Sequence, residues 1–150
     1  MEKQVVVGAP VAEVWAAWTT AEGCATFFAP RARVRAEPGG PYELLFDDEQ
    51  PPGKQGSEGC VVLEVEPERR LAFSWNNPPH LAAIRDRHTR VDLRLAPEDA
   101  GRTRVTLVHS GFGAGGEWDQ AHAYFERAWD IVARRLAVRF ERGPIDWRAP

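Results

Sequence analysis

The chain has 150 residues and a formal net charge of -3, from 19 Lys and Arg against 22 Asp and Glu. This length suits one domain over residues 1–150, which buries roughly 70% of its unfolded surface. The sequence pI of 5.8 excludes a strongly basic nucleic-acid module, for which a pI above about 9 is typical. No apolar run approaches the ~20 residues of a membrane span, and the apolar start at residues 5–7 is too short for a signal sequence, so we expect a cytoplasmic protein.

Aromatic residues are the compositional surplus, since six Trp, seven Phe and two Tyr accompany a single Met. Large rings carry much of the energy of a hydrophobic core, and they also line ligand cavities. Composition alone leaves these two interpretations open. The two cysteines, Cys24 and Cys60, are too few for a disulfide framework or a zinc site.

The first predicted elements are a strand at residues 3–7 and two short helices. Pro10 suits the start of a helix, because its missing N–H would have no partner there. The apolar face that follows has spacings of three, one and three: Val11, Val14, Trp15 and Trp18. A second short helix is predicted before Pro30, and it carries Cys24, Phe27 and Phe28.

About six antiparallel strands are predicted in the middle of the chain, separated by turns rich in Gly and Pro. Alternation of apolar and polar residues places them at 31–37, 42–46, 59–66, 71–75, 88–95 and 104–109. In the last two, alternate residues face water and the remainder face a core. A polar loop at 47–56 and an irregular stretch at 76–87 interrupt the strands.

A long helix is predicted over residues 117–142, ended by Gly143 and Pro144. Its apolar stripe has steps of three and four residues and consists of Trp118, His122, Phe125, Trp129, Val132, Leu136 and Phe140. A 26-residue helix is ~39 Å long and can cross a whole sheet. The order of elements predicts an α+β fold, an antiparallel sheet covered by the long helix.

Several segments, taken in order, resemble one family. They are 10–15 (PVAEVW), 39–42 (GGPY), 59–65 (GCVVLEV), 70–75 (RLAFSW), 103–112 (TRVTLVHSGF) and the final helix with Trp129. Together they are similar to the homologues of the activator of heat-shock protein 90 ATPase, within the START-like (SRPBCC, birch-pollen-allergen-like) superfamily. The resemblance covers residues 5 to 140, most of the chain.

The resemblance implies the helix-grip fold, a curved antiparallel sheet of about six to seven strands around the C-terminal helix, with two short helices after the first strand. It also implies an internal cavity that in relatives holds hydrophobic or amphipathic small molecules, lipids among them. Many bacterial members of this branch have no established role, so function has to be argued from the site itself.

The candidate cavity residues share the inward phase of the sheet or of the long helix: Phe73, Trp75, Val91, Leu93, Leu107, His109, Trp118, His122, Phe125 and Trp129. We expect His109 and His122 to point into the same interior. Each is either a buried histidine satisfied by a backbone or water partner, or a polar anchor for a ligand that can also move a proton. The sequence assigns no catalytic residue, no metal site and no cofactor, because a third metal ligand and a nucleophile–base pair are both missing.

The leading hypothesis is a non-enzymatic protein that binds a small hydrophobic or aromatic ligand between sheet and helix. It rests on the resemblance and on the inward aromatic set.

Two alternatives are a cyclase or aromatase-type enzyme that uses His109 and His122 in acid–base roles, and an adaptor that modulates a chaperone ATPase. The chaperone partner is disfavoured, because the eukaryotic co-chaperone has a further domain that this chain is expected to lack. A homodimer stays open, since residues 145–147 (IDW) have two candidate packing partners, their own domain and a neighbour.

Overall fold

Within residues 1–148, which the computed structural model describes, the chain forms seven strands and three helices. In chain order they are β1 (Glu2–Val7), α1 (Val11–Thr19), α2 (Ala21–Cys24), β2 (Arg31–Val34), β3 (Tyr42–Leu45), β4 (Val62–Glu66), β5 (Arg70–Trp75), β6 (Thr89–Asp99), β7 (Arg102–Ser110) and α3 (Glu117–Arg142). This order confirms the predicted α+β class, with two short helices after the first strand and one long helix at the end.

Five strands form one antiparallel sheet in the order β1-β7-β6-β5-β4. The register aligns the inward-facing apolar residues of neighbouring strands, so that Leu71 lies opposite Leu93 and Leu93 opposite Leu107. Val91 is paired with His109, which brings this histidine into the same buried layer. The alternation seen in the sequence therefore becomes one apolar face of the sheet.

A hairpin of β2 and β3 continues the sheet beyond the edge strand β4. The backbone N–H of Tyr42 donates to the carbonyl of Cys60 at 2.9 Å, and the N–H of Ser57 donates to the carbonyl of Leu44 at 2.9 Å. A Cβ atom at Gly56 would collide with the Leu44 carbonyl, so only glycine permits this close approach. The loop at 46–56 therefore leaves and re-enters the sheet where the hairpin meets β4.

Helix α3 covers the apolar face of the sheet with Ala121, Phe125, Trp129, Val132 and Leu136. Gly116, which precedes it, has φ 55° and ψ -129°, a conformation that strongly favours glycine. Lys3 on β1 forms ion pairs with Glu126 at 2.8 Å and Asp130 at 3.0 Å, which tie the exposed side of the helix to the edge of the sheet.

Some element ends differ from the prediction. Helix α2 stops at Cys24, and Phe27 and Phe28 lie in the turn that follows it, where the N–H of Phe28 donates to the carbonyl of Cys24 at 2.8 Å. Strand β6 runs to Asp99 instead of residue 95, because the β6–β7 hairpin closes tightly and the Asp99 carboxylate accepts the N–H of Gly101 at 3.0 Å.

The segment at 145–147 packs on its own domain. The N–H of Ile145 donates to the carbonyl of Thr26 at 2.9 Å, and the indole N–H of Trp147 donates to the carbonyl of Ala25 at 2.6 Å. From the sequence, this segment could pack on its own domain or on a neighbouring molecule. In the structure it packs on the α2 region of its own chain.

Candidate ligand-binding site

A cavity of about 530 Å³ lies between α3 and two loops, residues 46–56 and 76–85. Its walls come from elements far apart in the sequence: the turn after α2, the end of β5, both loops and the middle of α3. The cavity is open to solvent at one end of the fold, where the loops face the helix.

Four aromatic rings form the buried wall of the cavity: Phe28, Trp75, Phe125 and Trp129. The ring centroid of Phe28 lies 5.7 Å from that of Trp75 and 6.0 Å from that of Trp129, and the two indole centroids are 5.5 Å apart. Rings at these separations contact each other in offset or edge-to-face geometry. They therefore present a continuous and rigid apolar surface to the cavity.

The mouth of the cavity is also apolar. Phe46, Tyr124 and Ile131 all line it, and they are 42%, 43% and 48% exposed. Single exposed apolar residues are common on protein surfaces, but a group of them around a concave opening is typical of a binding site.

His109 lies beneath this wall with no exposed surface. The indole N–H of Trp129 donates to its Nδ1 at 2.9 Å, and its Nε2 lies 2.6 Å from the hydroxyl of Thr89. An indole nitrogen can only donate, so Nδ1 is the unprotonated nitrogen and Nε2 carries the proton. Nε2 therefore donates to Thr89, whose hydroxyl donates to the backbone carbonyl of Trp75 at 3.1 Å.

The imidazole of His109 is held in its neutral form. Burial lowers its pKa to about 3, and the positive charges of the amino terminus and of His122 act in the same direction. Both ring nitrogens are occupied by protein partners. Of the two interpretations of this histidine, the geometry fits the satisfied buried group, which links the indole of Trp129 to the backbone of Trp75 through Thr89.

His122 corrects the prediction that both histidines face the interior, because its side chain is exposed. At 100° per residue, His122 lies about 60° from Phe125 around the helix, whereas Ala121 lies about 40° away on the other side. Ala121 is fully buried and takes the inward position in that turn. The rings of His109 and His122 are separated by Phe112, whose centroid lies 4.4 Å from the first and 5.2 Å from the second.

The ten predicted cavity residues are divided between three places. Trp75, Phe125 and Trp129 line the cavity. Leu107 lines a separate cleft of about 20 Å³, on the other side of Trp129. The others lie away from both: Phe73, Val91, Leu93 and His109 in the core, Trp118 against Gly113, and His122 at the surface.

Arg85 joins the two loops of the cavity. Its guanidinium donates to the carbonyl of Asn77 at 2.5 Å, and across the cavity mouth to those of Gly53 at 2.7 Å and Gly56 at 2.8 Å. Glu58 lies 3.5 Å from the same guanidinium. Burial would raise the pKa of Glu58, but the backbone N–H groups of Gly53, Gln55 and Gly56 donate to its carboxylate and the pKa is lowered.

Sequence reasoning missed several cavity residues, of which Phe28, Phe46 and Arg85 come from turns and loops without periodicity. Most of the others also lie in the two loops, and four form a second stripe on α3 with steps of four, three and four: Tyr124, Ala128, Ile131 and Arg135. The signal for this stripe was present, since Tyr124 and Ile131 are large apolar residues seven positions apart and outside the predicted stripe.

Residues 1–148 contain no group of three His, Cys, Asp or Glu side chains that could hold a metal ion. Among these residues, no helix is both long and apolar enough to cross a membrane. Burial raises the pKa of both Cys24 and Cys60 to about 12, so these thiols stay protonated.

The seven strands and the long C-terminal helix that packs on them define the helix-grip fold of the START-like (SRPBCC) superfamily. The family model described as "Activator of Hsp90 ATPase homolog 1-like protein" matches residues 8–141. The chain belongs to this family, which confirms the resemblance seen in the sequence.

Solved structures agree with this assignment. DynU16, from the dynemicin biosynthetic locus, has a TM-score of 0.68 at 26% identity, with 96% of this chain and 48% of DynU16 covered, so the chain spans about half the length of that protein. BH1534 of Bacillus halodurans has a TM-score of 0.66 at 29% identity, with 93% and 94% covered. The Aha1 dimer of Colwellia psychrerythraea shares the fold, with a TM-score of 0.70 at 16% identity and 95% and 96% covered. Curated proteins give no significant match.

Proposed function

We propose that this protein binds one small, mainly apolar molecule in the cavity between α3 and the two loops, and that it does not convert the molecule chemically. The observation that carries the proposal is the cavity of about 530 Å³ with an aromatic wall and an apolar mouth. Ligand sites for small molecules usually have volumes of roughly 300–1,000 Å³, apolar walls and a few polar groups.

The wall is suited to a flat or flexible apolar molecule. Both indole rings are buried: that of Trp129 donates to His109, and that of Trp75 packs between Phe28 and Trp129, so the rings need no reordering when a ligand binds. A preformed wall keeps the entropic cost of binding low. The side-chain amides of Asn76 and Gln55 also line the cavity, and each donates to a backbone carbonyl of the loop at 46–56, Gly56 and Gln50 respectively.

The acid–base alternative that uses His109 and His122 receives no support from the geometry. Neither His109 nor His122 lines the cavity, and the nitrogens of His109 are both hydrogen-bonded to protein groups. A general base has to reach the proton that it removes, directly or through one water. The origin of DynU16 in a biosynthetic locus agrees with a small-molecule ligand for this chain as well.

Two measurements test the proposal. Native mass spectrometry of freshly purified protein is expected to show a co-purified molecule or a single saturable adduct. Titration with fatty acids, flavonoids and polyketides, followed by tryptophan fluorescence, is expected to give saturable changes, because two of the six Trp residues line the cavity. Absence of any adduct together with absence of any saturable change would falsify the proposal.

A further inference from the structure

We infer that the ligand is an amphipathic anion, whose apolar part lies against the second stripe of α3 and whose negatively charged group contacts Arg135. The inference rests on the proposed function, because it concerns the occupant of the same cavity.

The charge of the cavity differs in sign from that of the chain. Three cationic side chains, Lys54, Arg85 and Arg135, line the cavity, together with a single carboxylate, Asp47. The whole chain carries a net charge of -3. Charges around a cleft with low-dielectric walls act strongly on a ligand of opposite sign. The cavity therefore favours an anion on a protein that otherwise repels anions.

The three cations are not equivalent. Arg85 already donates to three backbone carbonyls and faces Glu58, so its hydrogen-bonding capacity serves the loops. Lys54 is exposed on a loop. Arg135 is half-buried on the rigid helix, and within residues 1–148 its guanidinium has no hydrogen bond and no carboxylate within 4.0 Å. A guanidinium with five unused donors suits a carboxylate or a similar planar anion.

Arg135 is held in place by an aromatic ring. The carbon at the centre of its guanidinium lies 5.1 Å from the ring centroid of Trp147, and Trp147 is fixed by its hydrogen bond to the carbonyl of Ala25. Stacking on an aromatic face leaves the edges of a guanidinium free to donate. The C-terminal segment thereby places a positive charge at one end of the cavity wall.

The apolar part of the ligand has a defined path. Tyr124, Ala128 and Ile131 precede Arg135 on the same stripe of α3, and all four residues line the cavity. From residue 124 to residue 135 the helix rises about 16 Å, at 1.5 Å per residue. A ligand along this stripe has an apolar body on the first three residues and its charged end at the fourth.

Two matched probe pairs at pH 7.5 test the inference: decanoate against 1-decanol, and 2-naphthoate against naphthalene-2-carboxamide. Calorimetric titration is expected to show that the anion binds about tenfold more tightly than the neutral partner in at least one pair, as a charge-assisted hydrogen bond predicts. Arg135→Gln is expected to remove this preference. Arg134→Gln, which deletes an exposed charge on the next residue, is expected to change it less than about twofold.

The outcomes separate the two proposals. If neutral and anionic probes bind equally well, the preference for an anion is wrong and the cavity still binds ligands. If Arg134→Gln and Arg135→Gln weaken anion binding equally, the anion is attracted by the overall positive charge of this part of the helix, and the proposed contact with Arg135 is wrong. If no probe binds the unmodified protein by calorimetry, and no adduct is seen by mass spectrometry, the proposed function fails and this inference fails with it.

Discussion

Trp129 donates its indole N–H to Nδ1 of His109 at 2.9 Å, and this bond connects the inner layer of the sheet to the wall of the cavity. The imidazole passes the connection on to Thr89 and to the backbone of Trp75. The polar group at the centre of an aromatic core thus has a structural task, since it holds the ring of Trp129 and, through Thr89, the backbone of Trp75.

Replacement of His109 by leucine is expected to lower the free energy of unfolding by about 2–4 kcal/mol, because the N–H of Trp129 and the hydroxyl of Thr89 then lack their buried partner. His109→Gln, which keeps an acceptor and a donor, is expected to recover part of this loss. Urea denaturation gives the values. His122→Ala is the control and is expected to change the free energy of unfolding by less than about 1 kcal/mol, because His122 is exposed. Equal losses for the two positions would contradict the burial pattern.

Acid is expected to destabilise the protein through His109. Its pKa is about 3 in the folded state and about 6.5 in an unfolded chain, so the unfolded state takes up the proton first. The stabilising contribution is complete above pH 6.5 and is lost progressively as the pH falls towards 3. Near pH 5 this single group lowers the free energy of unfolding by about 1.4 kcal/mol for each unit by which the pH is lowered.

The control for this pH dependence is His109→Asn, which has no titrating group. Its free energy of unfolding is expected to depend less on pH between 6 and 4.5 than that of the unmodified protein. Carboxylates such as Asp92, whose pKa is lowered by a hydrogen bond from Arg90, lose their contribution at lower pH. Identical slopes for both proteins in this range would show that His109 titrates normally in the folded state.

Ala128→Phe is expected to weaken ligand binding by more than about tenfold while the fold persists. Ala128 is half-buried and lines the cavity, so the larger side chain takes up volume that a ligand would use, and solvent exposure allows the ring to adjust. The probes that bind the unmodified protein are titrated against the variant. Ala123→Phe, on an exposed position of the same helix, is expected to bind them normally, and equal loss in both variants would place the site elsewhere.

Arg85→Met is expected to loosen the two loops at the cavity mouth. The variant keeps the aliphatic stem but loses the hydrogen bonds to Asn77, Gly53 and Gly56, so backbone amides at 53–58 and 76–85 should exchange with deuterium at least several-fold faster. Arg87→Met removes an exposed charge from the end of the same segment and serves as the comparison. Unchanged exchange in Arg85→Met would mean that the loops are held by other contacts.

The fold was largely predictable because its elements follow simple periodicities. The bounds of α3 agree with the prediction at both ends, since Gly116 and Gly143 flank a continuous stripe. The alternation in β6 and β7 placed His109 in the buried layer. The apolar stripe of a helix is about 100° wide, and residues at its edge face either the core or the solvent. His122 lies at this edge, so the pattern alone did not decide which way it faces.

The cavity was less predictable because it depends on loops. Its two loops are positioned by Arg85 and Glu58, which are 27 residues apart in the sequence and carry no periodic signal. Phe28, whose ring contacts both Trp75 and Trp129, follows a helix of a single turn. Volume between elements also depends on how far side chains interlock, and spacing along the chain does not encode this quantity.

The ring of Phe28 contacts Trp18 in the core at 5.4 Å between centroids and Trp129 in the cavity wall at 6.0 Å. Core and wall are therefore a single set of interlocking rings, and a substitution there alters stability and ligand shape at once. The loop residues Gln50, Lys54 and His80 line the same cavity without belonging to the core. Substitutions at these loop positions, in evolution or by engineering, can therefore change the ligand preference with the smallest loss of stability, because they leave the packed rings in place.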